Sequence, residues 1–296
     1  MDNLRGAALL TFSMLCFALE DMFVKLAAQT LPRGQILILF GLGAALVFGV
    51  AARLMGQAPV TRDMLRGPLA LRSLCEGVSA IGFVMALALV PLSLMTTIVQ
   101  ANPLLITLGA ALIFAEPVGW RRWSAVLVGL GGVMIVLRPF GEGFQPAALF
   151  AVLGVLFQAG RDLATRKVPP GTSSLQISIA GFLALIGAGI GLMLVAGERP
   201  VWPDRREWLY MLGMLGIGLP AFYSIVAAMR LGDISFIAPF RYSRIVFGLA
   251  VGLVVFDERL DRWMLIGAAV IVASGLYTLW REARLRRASL ARSHAL

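Results

Sequence analysis

The chain has 296 residues, 59% of them hydrophobic and 14% charged, with a mean hydropathy of +0.86 and a formal charge of +10. A water-soluble domain of that size is nearer half apolar and a quarter charged, so water is excluded as the solvent for most of this chain. The positive charge does not indicate a nucleic-acid partner: such binding needs a solvated basic face, whereas here arginines punctuate apolar blocks.

Apolar stretches near twenty residues, each long enough to cross a hydrocarbon core of roughly 30 Å, run from end to end. They are predicted at 6–27, 35–53, 68–90, 93–115, 122–138, 146–166, 175–196, 208–229, 234–256 and 263–281. The expectation is an all-α membrane protein of ten transmembrane helices. Turn chemistry at Leu31-Pro32-Arg33-Gly34, Pro169-Pro170-Gly171 and Arg199-Pro200 divides the blocks. Only Val90-Pro91-Leu92 separates the third span from the fourth, and one long kinked span there would change the count. Span 1 is interrupted by Glu20 and Asp21 and reaches Lys25 without a small-residue cleavage site, so it is expected to remain as a helix.

Arginine and lysine collect in alternate loops, about twice as many on the side that receives Arg53, Arg121, Arg122, Arg166, Lys167 and the basic tail. That side is expected to be cytoplasmic, with both termini on it.

Charged groups inside spans are costly in hydrocarbon unless paired or facing a wet cavity, which makes them the candidate functional residues. Span 1 carries Glu20, Asp21 and Lys25; span 3, Arg72 and Glu76; span 6, Arg161, Asp162 and Arg166; span 9, Arg241 and Arg244. Three pairs, Asp21 with Lys25, Arg72 with Glu76 and Asp162 with Arg166, have the i,i+4 spacing that neutralises charge along one helix face. Lys25, Arg72 and Arg166 also lie near span ends, within reach of the interface. Arg241 and Arg244 have no acid within four residues of their own helix. Their partner is either Glu20, Glu76 or Asp162 across the bundle, or the carboxylate or phosphate of a substrate. Tyr242 neighbours both, and Gln100 and Asn102 lie at corresponding depth in span 4, so these polar groups either line one cavity or hydrogen-bond between helices. Glu20, Asp21, Glu76 and Asp162 are candidates for proton coupling or for binding a substrate amine, and Asp21, Asp162 and Arg161 for ion coupling or charge pairing.

Pro91, Pro103, Pro220 and Pro239 fall within or beside apolar spans, where each frees a backbone carbonyl. Cys16 and Cys75 have neither disulfide nor metal spacing and read as small core residues. The one histidine, His294, sits in the tail, so no haem, histidine–zinc or histidine-triad chemistry is expected, and no cofactor or metal. No Walker loop, GxSxG elbow or HExxH motif is present.

A weak internal repeat runs at a shift of 141–143 residues. Ala18-Leu19-Glu20-Asp21 answers to Ala159-Gly160-Arg161-Asp162, Ser93 to Ser235, Glu116 to Glu258, and the interval Trp120 to Gly132 to that of Trp263 to Gly275. Five helices per repeat is odd, so the second copy must enter the membrane inverted, an architecture many secondary transporters share. The rival from another class is an intramembrane enzyme acting on a lipid or lipid-linked metabolite.

The segments "ALALVPLSLMTTIVQANPLL" and "FAEPVGWRRWSAVLVGLGGV" in the first half and "DISFIAPFRYSRIVFGLAVGLVVFDERLDRW" in the second resemble the drug/metabolite transporter superfamily, in particular its bacterial members with paired EamA-type repeats. The resemblance implies a first repeat over 1–140, a second over 141–282 and a basic cytoplasmic tail over 283–296. It implies a carrier of small organic metabolites, amino-acid-like, S-adenosylmethionine-like or riboflavin-like, in the bacterial inner membrane, working by alternating access as a monomer or homodimer. The segment "APFRYSR" is similar to that of members assigned to S-adenosylmethionine or riboflavin uptake.

Overall fold

A computed structural model describes residues 2–293 except 117, 140, 142, 143, 232 and 233. Phe140 and His294 lie outside the described residues, as does the side chain of Ser235. In chain order the helices are α1 (Asp2–Ala27), α2 (Arg33–Leu54), α3 (Gly67–Leu89), α4 (Leu92–Val99), α5 (Asn102–Ile113), α6 (Trp120–Leu137), α7 (Ala148–Thr165), α8 (Ser174–Ala196), α9 (Arg205–Leu231), α10 (Ile234–Ile237), α11 (Ser243–Phe256) and α12 (Arg262–Ser293). Among the described residues there is no strand. Ten stretches of the described residues are long and apolar enough to cross a membrane, counting Leu92–Ile113 and Ala238–Phe256 across their breaks. The expected spans and the observed helices agree to within a few residues, apart from α12, whose backbone stays helical to Ser293.

Local chemistry sets the boundaries. Val90 is extended (φ −125°, ψ 164°), as a residue before proline favours, so Pro91 separates α3 from α4. Ser173 and Gln176 form a reciprocal capping box that starts α8, and Gly197 ends it in the left-handed region (φ 64°).

The chain divides into two compact units, each drawing on both halves of the sequence. The first comprises Met1–Ala18, Thr96–Phe144 and Pro220–Leu296; the second comprises Leu19–Met95 and Gln145–Leu219.

In the second unit α2 packs on α8 and α3 on α7 through small residues. A Cβ on Gly34 or on Gly189 would collide with the other's carbonyl oxygen, so the α2–α8 backbones touch there. On the α3–α7 seam a Cβ on Gly82 would lie 2.6 Å from the Gly154 amide nitrogen, and the Ser79 hydroxyl donates to the Gly154 carbonyl at 2.8 Å. In the first unit α6 packs on α12, with Gly132 against Gly267 and Ile271, while Leu10, Met14, Ala228 and Ile237 form a buried apolar cluster. Leu42, Leu46, Leu127, Leu183 and Val254 are exposed, outward apolar faces suited to lipid.

Candidate functional site

The polar residues singled out in spans 4 and 9 sit at two helix breaks, both within the first unit. The amide N–H groups of Gln100 and Ala101 donate to Thr97 and Ile98, three residues back, so α4 ends in a tightened turn. Asn102 and Pro103 then open α5, proline being tolerated in a first turn because its missing N–H would be unpaired there anyway. In span 9 the chain tightens into a 3-10 turn over Ala238–Tyr242 around Pro239, and α11 begins at Ser243.

The breaks meet. The Gln100 side-chain amide donates to the Arg241 carbonyl at 3.5 Å, and Thr96 rests on Gly248, where a Cβ would collide with the threonine side chain. Gln100, Asn102 and Tyr242 are buried, while Arg241 and Arg244 are half-buried. The Arg244 guanidinium lies 5.3 Å from the centre of the Phe17 ring, which in turn meets Phe222 edge-on at 5.3 Å. The Tyr242 hydroxyl is pressed against Gly275 of α12, where a Cβ would overlap it. α5 and α11 start beside this contact directly after tightened turns, in which the Leu104 amide N–H donates to the Ala101 carbonyl and that of Ser243 to the Phe240 and Arg241 carbonyls.

The acidic candidates fall in the second unit and form a different arrangement. Glu76 of α3 pairs with Arg72 one turn away (3.1 Å) and with Arg161 of α7 (2.9 Å). Arg161 also donates to Asp162 through Nε (3.0 Å) and Nη2 (2.8 Å). Arg72 reaches the Ile177 carbonyl of α8 at 3.3 Å, and a Cβ on Gly181 would sit 3.0 Å from its Nη1. Two guanidiniums and two carboxylates thus tie α3, α7 and α8 together with balanced charge. The Arg72–Glu76 pair is the one its spacing predicts, whereas Glu76–Arg161 joins residues 85 apart.

Glu20 lies against α9, its carboxylate 3.1–3.2 Å from where a Cβ on Gly218 would stand, and Asp21 is buried. Lys25 caps a helix: its ammonium donates to the carbonyls of Leu87 (3.2 Å) and Val90 (2.6 Å) at the C-terminus of α3, where a cation is favourable.

Gly275, Gly181 and Gly218 escape sequence reasoning as members of these clusters. Only Gly275 leaves a signal, through the repeated tryptophan-to-glycine interval.

Residues 145–280 match the EamA-like transporter family. The match to that family thus covers the second half of the chain. It is similar to a riboflavin transporter of Vibrio cholerae (29% identity over 191 residues, 64% of this chain) and spans 63% of that relative's length. It is similar to an S-adenosylmethionine uptake transporter of Rickettsia conorii (26% identity, 66% of each chain) and, nearly end to end, to the pseudopaline exporter CntI of Pseudomonas aeruginosa (25% identity, 93% of this chain and 96% of the relative). A solved crystal structure with 23% identity aligns over 96% of this chain and 98% of its own at a TM-score of 0.57, a likeness of fold alone.

Proposed function

We propose that this protein is a secondary transporter that moves a small organic metabolite bearing an anionic group across the bacterial inner membrane by alternating access. The observation that carries the proposal is the meeting of two broken membrane helices, at Gln100–Asn102 and Ala238–Tyr242, beside Arg241 and Arg244. Broken helices in transporters turn half-helix N-termini toward anionic substrate groups. Here two guanidiniums at such breaks gather positive potential around amide donors and the Phe17–Phe222 pair. Relatives named for riboflavin, S-adenosylmethionine and pseudopaline support a small organic metabolite as cargo.

Arg244, Arg241, Tyr242, Gln100 and Asn102 are the proposed substrate contacts. Glu20 and Asp21 on α1 are the proposed groups for proton coupling or for a substrate amine. Glu76, Arg161 and Asp162 serve charge pairing that holds α3 to α7. The proposed architecture is two inverted five-helix repeats over 1–140 and 141–282, with both termini cytoplasmic.

A thermal-shift screen of the purified protein against metabolite pools finds the ligand, since a molecule that binds the folded state raises its apparent stability. Uptake of that ligand into proteoliposomes then tests the site. Arg244→Ala is expected to lower kcat/KM by about tenfold or more, roughly 1.4 kcal/mol or above, with Arg244→Lys in between. Wild-type uptake by Arg244→Ala refutes the anion assignment.

A further inference from the structure

The α6–α12 pair of the first unit carries two chemically different ends. Its helices run antiparallel: Gly129 meets Ser274, Gly132 meets Ile271 and Gly267, and Arg138 pairs with Asp261 just before α12 begins. Arg122 precedes Gly129 by seven residues and Arg281 follows Ser274 by seven, so at 1.5 Å per residue both lie roughly 10 Å further toward the same end.

That end is basic and aromatic. Residues 116–123 and 277–287 hold six arginines against two acids, Glu116 and Glu282. The opposite end, 138–143 and 257–262, holds three arginines against four acids and closes one pair internally through Arg138 and Asp261. At the basic end the Arg121 guanidinium stacks 5.3 Å from the Trp120 ring and that of Arg284 5.6 Å from the Trp280 ring, with Tyr277 tilted against Trp280 at 5.9 Å. Neither Arg121 nor Arg284 forms an ion pair among the described residues. Trp120 is 74% and Trp280 54% exposed, and within two turns of them Leu127, Val128 and Leu276 also face outward.

Guanidiniums held over indoles leave their N–H edges for a phosphodiester, tryptophan favours the headgroup level of a bilayer, and the outward aliphatics below suit acyl chains. Clustered arginines beside a membrane helix attract anionic lipid at about 1 kcal/mol each.

We propose that this end of the α6–α12 pair is a binding surface for the phosphodiester headgroup of an anionic phospholipid, with Arg121 and Arg284 as its charged contacts and Trp120 and Trp280 as its interfacial seats. The charge imbalance between the two ends, and the lack of an ion pair for either arginine among the described residues, favour a lipid anion over a zwitterionic one.

The test is native mass spectrometry of the purified full-length protein in neutral detergent, titrated with dioctanoyl phosphatidylglycerol, dioctanoyl phosphatidylcholine or inorganic phosphate. The proposal expects a saturable phosphatidylglycerol adduct, little from phosphatidylcholine, and no competition by inorganic phosphate at equal concentration. The double substitution R121Q/R284Q is expected to raise the half-saturation concentration about tenfold, whereas R121K/R284K keeps it within about threefold. Because all four side chains are exposed, the lipid-free melting temperature should stay at the wild-type value, and W120A/W280A provides a second, uncharged probe expected to weaken the same adduct.

Four results overturn the proposal. These are equal adducts from the two lipids, effective competition by inorganic phosphate, and loss of binding in R286Q/R287Q/R292Q but not in R121Q/R284Q, which would place the lipid on the tail. The fourth is conversion of a dimer to a monomer by W120A/W280A, which would make this face a contact between two copies.

Discussion

Tyr242 is buried, its hydroxyl has no hydrogen-bond partner among the described residues, and it fills the space that a side chain on Gly275 would occupy. A buried hydroxyl without a partner contributes little or costs stability, so Tyr242→Phe should be neutral or slightly stabilising. Gly275→Ala should cost about 1–3 kcal/mol through overpacking. Because a Cβ on Gly275 would overlap the Tyr242 hydroxyl first and the ring carbon behind it next, the pair should be non-additive, with G275A/Y242F recovering part of the loss. Thermal unfolding of the four proteins in detergent checks this, and strictly additive midpoints would assign the Gly275 effect elsewhere. The same contact sets the position of the 3-10 turn, and with it the placement of Arg241 and Arg244 on either side of Tyr242.

At the scale of elements, glycines that look alike in sequence divide by what they face. Gly187 and Gly189 both lie in α8, two residues apart and so on different faces of the helix. A Cβ on Gly189 meets the Gly34 carbonyl and Ile38 of α2, whereas one on Gly187 meets nothing within 4 Å. Gly189→Ala should therefore force α2 from α8 and cost about 1–3 kcal/mol. Gly187→Ala should be neutral, or stabilising by up to about 1 kcal/mol through helix propensity. Melting temperatures of the two variants decide it, and equal shifts would mean that close backbone approach does not stabilise the α2–α8 seam. The charge network acts at the same scale: Arg161 reaches from α7 to Glu76 on α3, so losing either partner cuts the ion pair that joins the two helices and leaves Glu76 with Arg72, or Arg161 with Asp162.

At the scale of the molecule, the proposed orientation follows from the arginine count in alternate loops. Cys16 and Cys75 are both buried, so replacing them with alanine gives a background for introducing single surface thiols. In that background Gly171→Cys, in the exposed turn between α7 and α8, should react with a membrane-impermeant maleimide only after the cells are opened. Pro200→Cys, in the exposed loop between α8 and α9, should react in intact cells. The reverse pattern would turn the whole topology over and place the basic end of α6–α12 outside.

The ten membrane-length stretches were legible in the sequence because hydropathy is local: a run of about twenty apolar residues reports its solvent whatever surrounds it. The breaks in spans 4 and 9 were partly legible for the same reason, since Pro103 and Pro239 lack the N–H that an unbroken helix needs at those points. So was the Arg72–Glu76 pair, fixed by i,i+4 spacing on one helix. What depends on which helix faces which was decided only by the tertiary structure. Lys25, whose position suggested pairing with Asp21 or reach to the interface, donates to carbonyls at the end of α3, since an ammonium near unpaired helix-end carbonyls gains hydrogen bonds there. The 85-residue reach from Glu76 to Arg161 and the notch that Gly275 offers Tyr242 follow from close packing between helices, whose partners no single segment's periodicity can name.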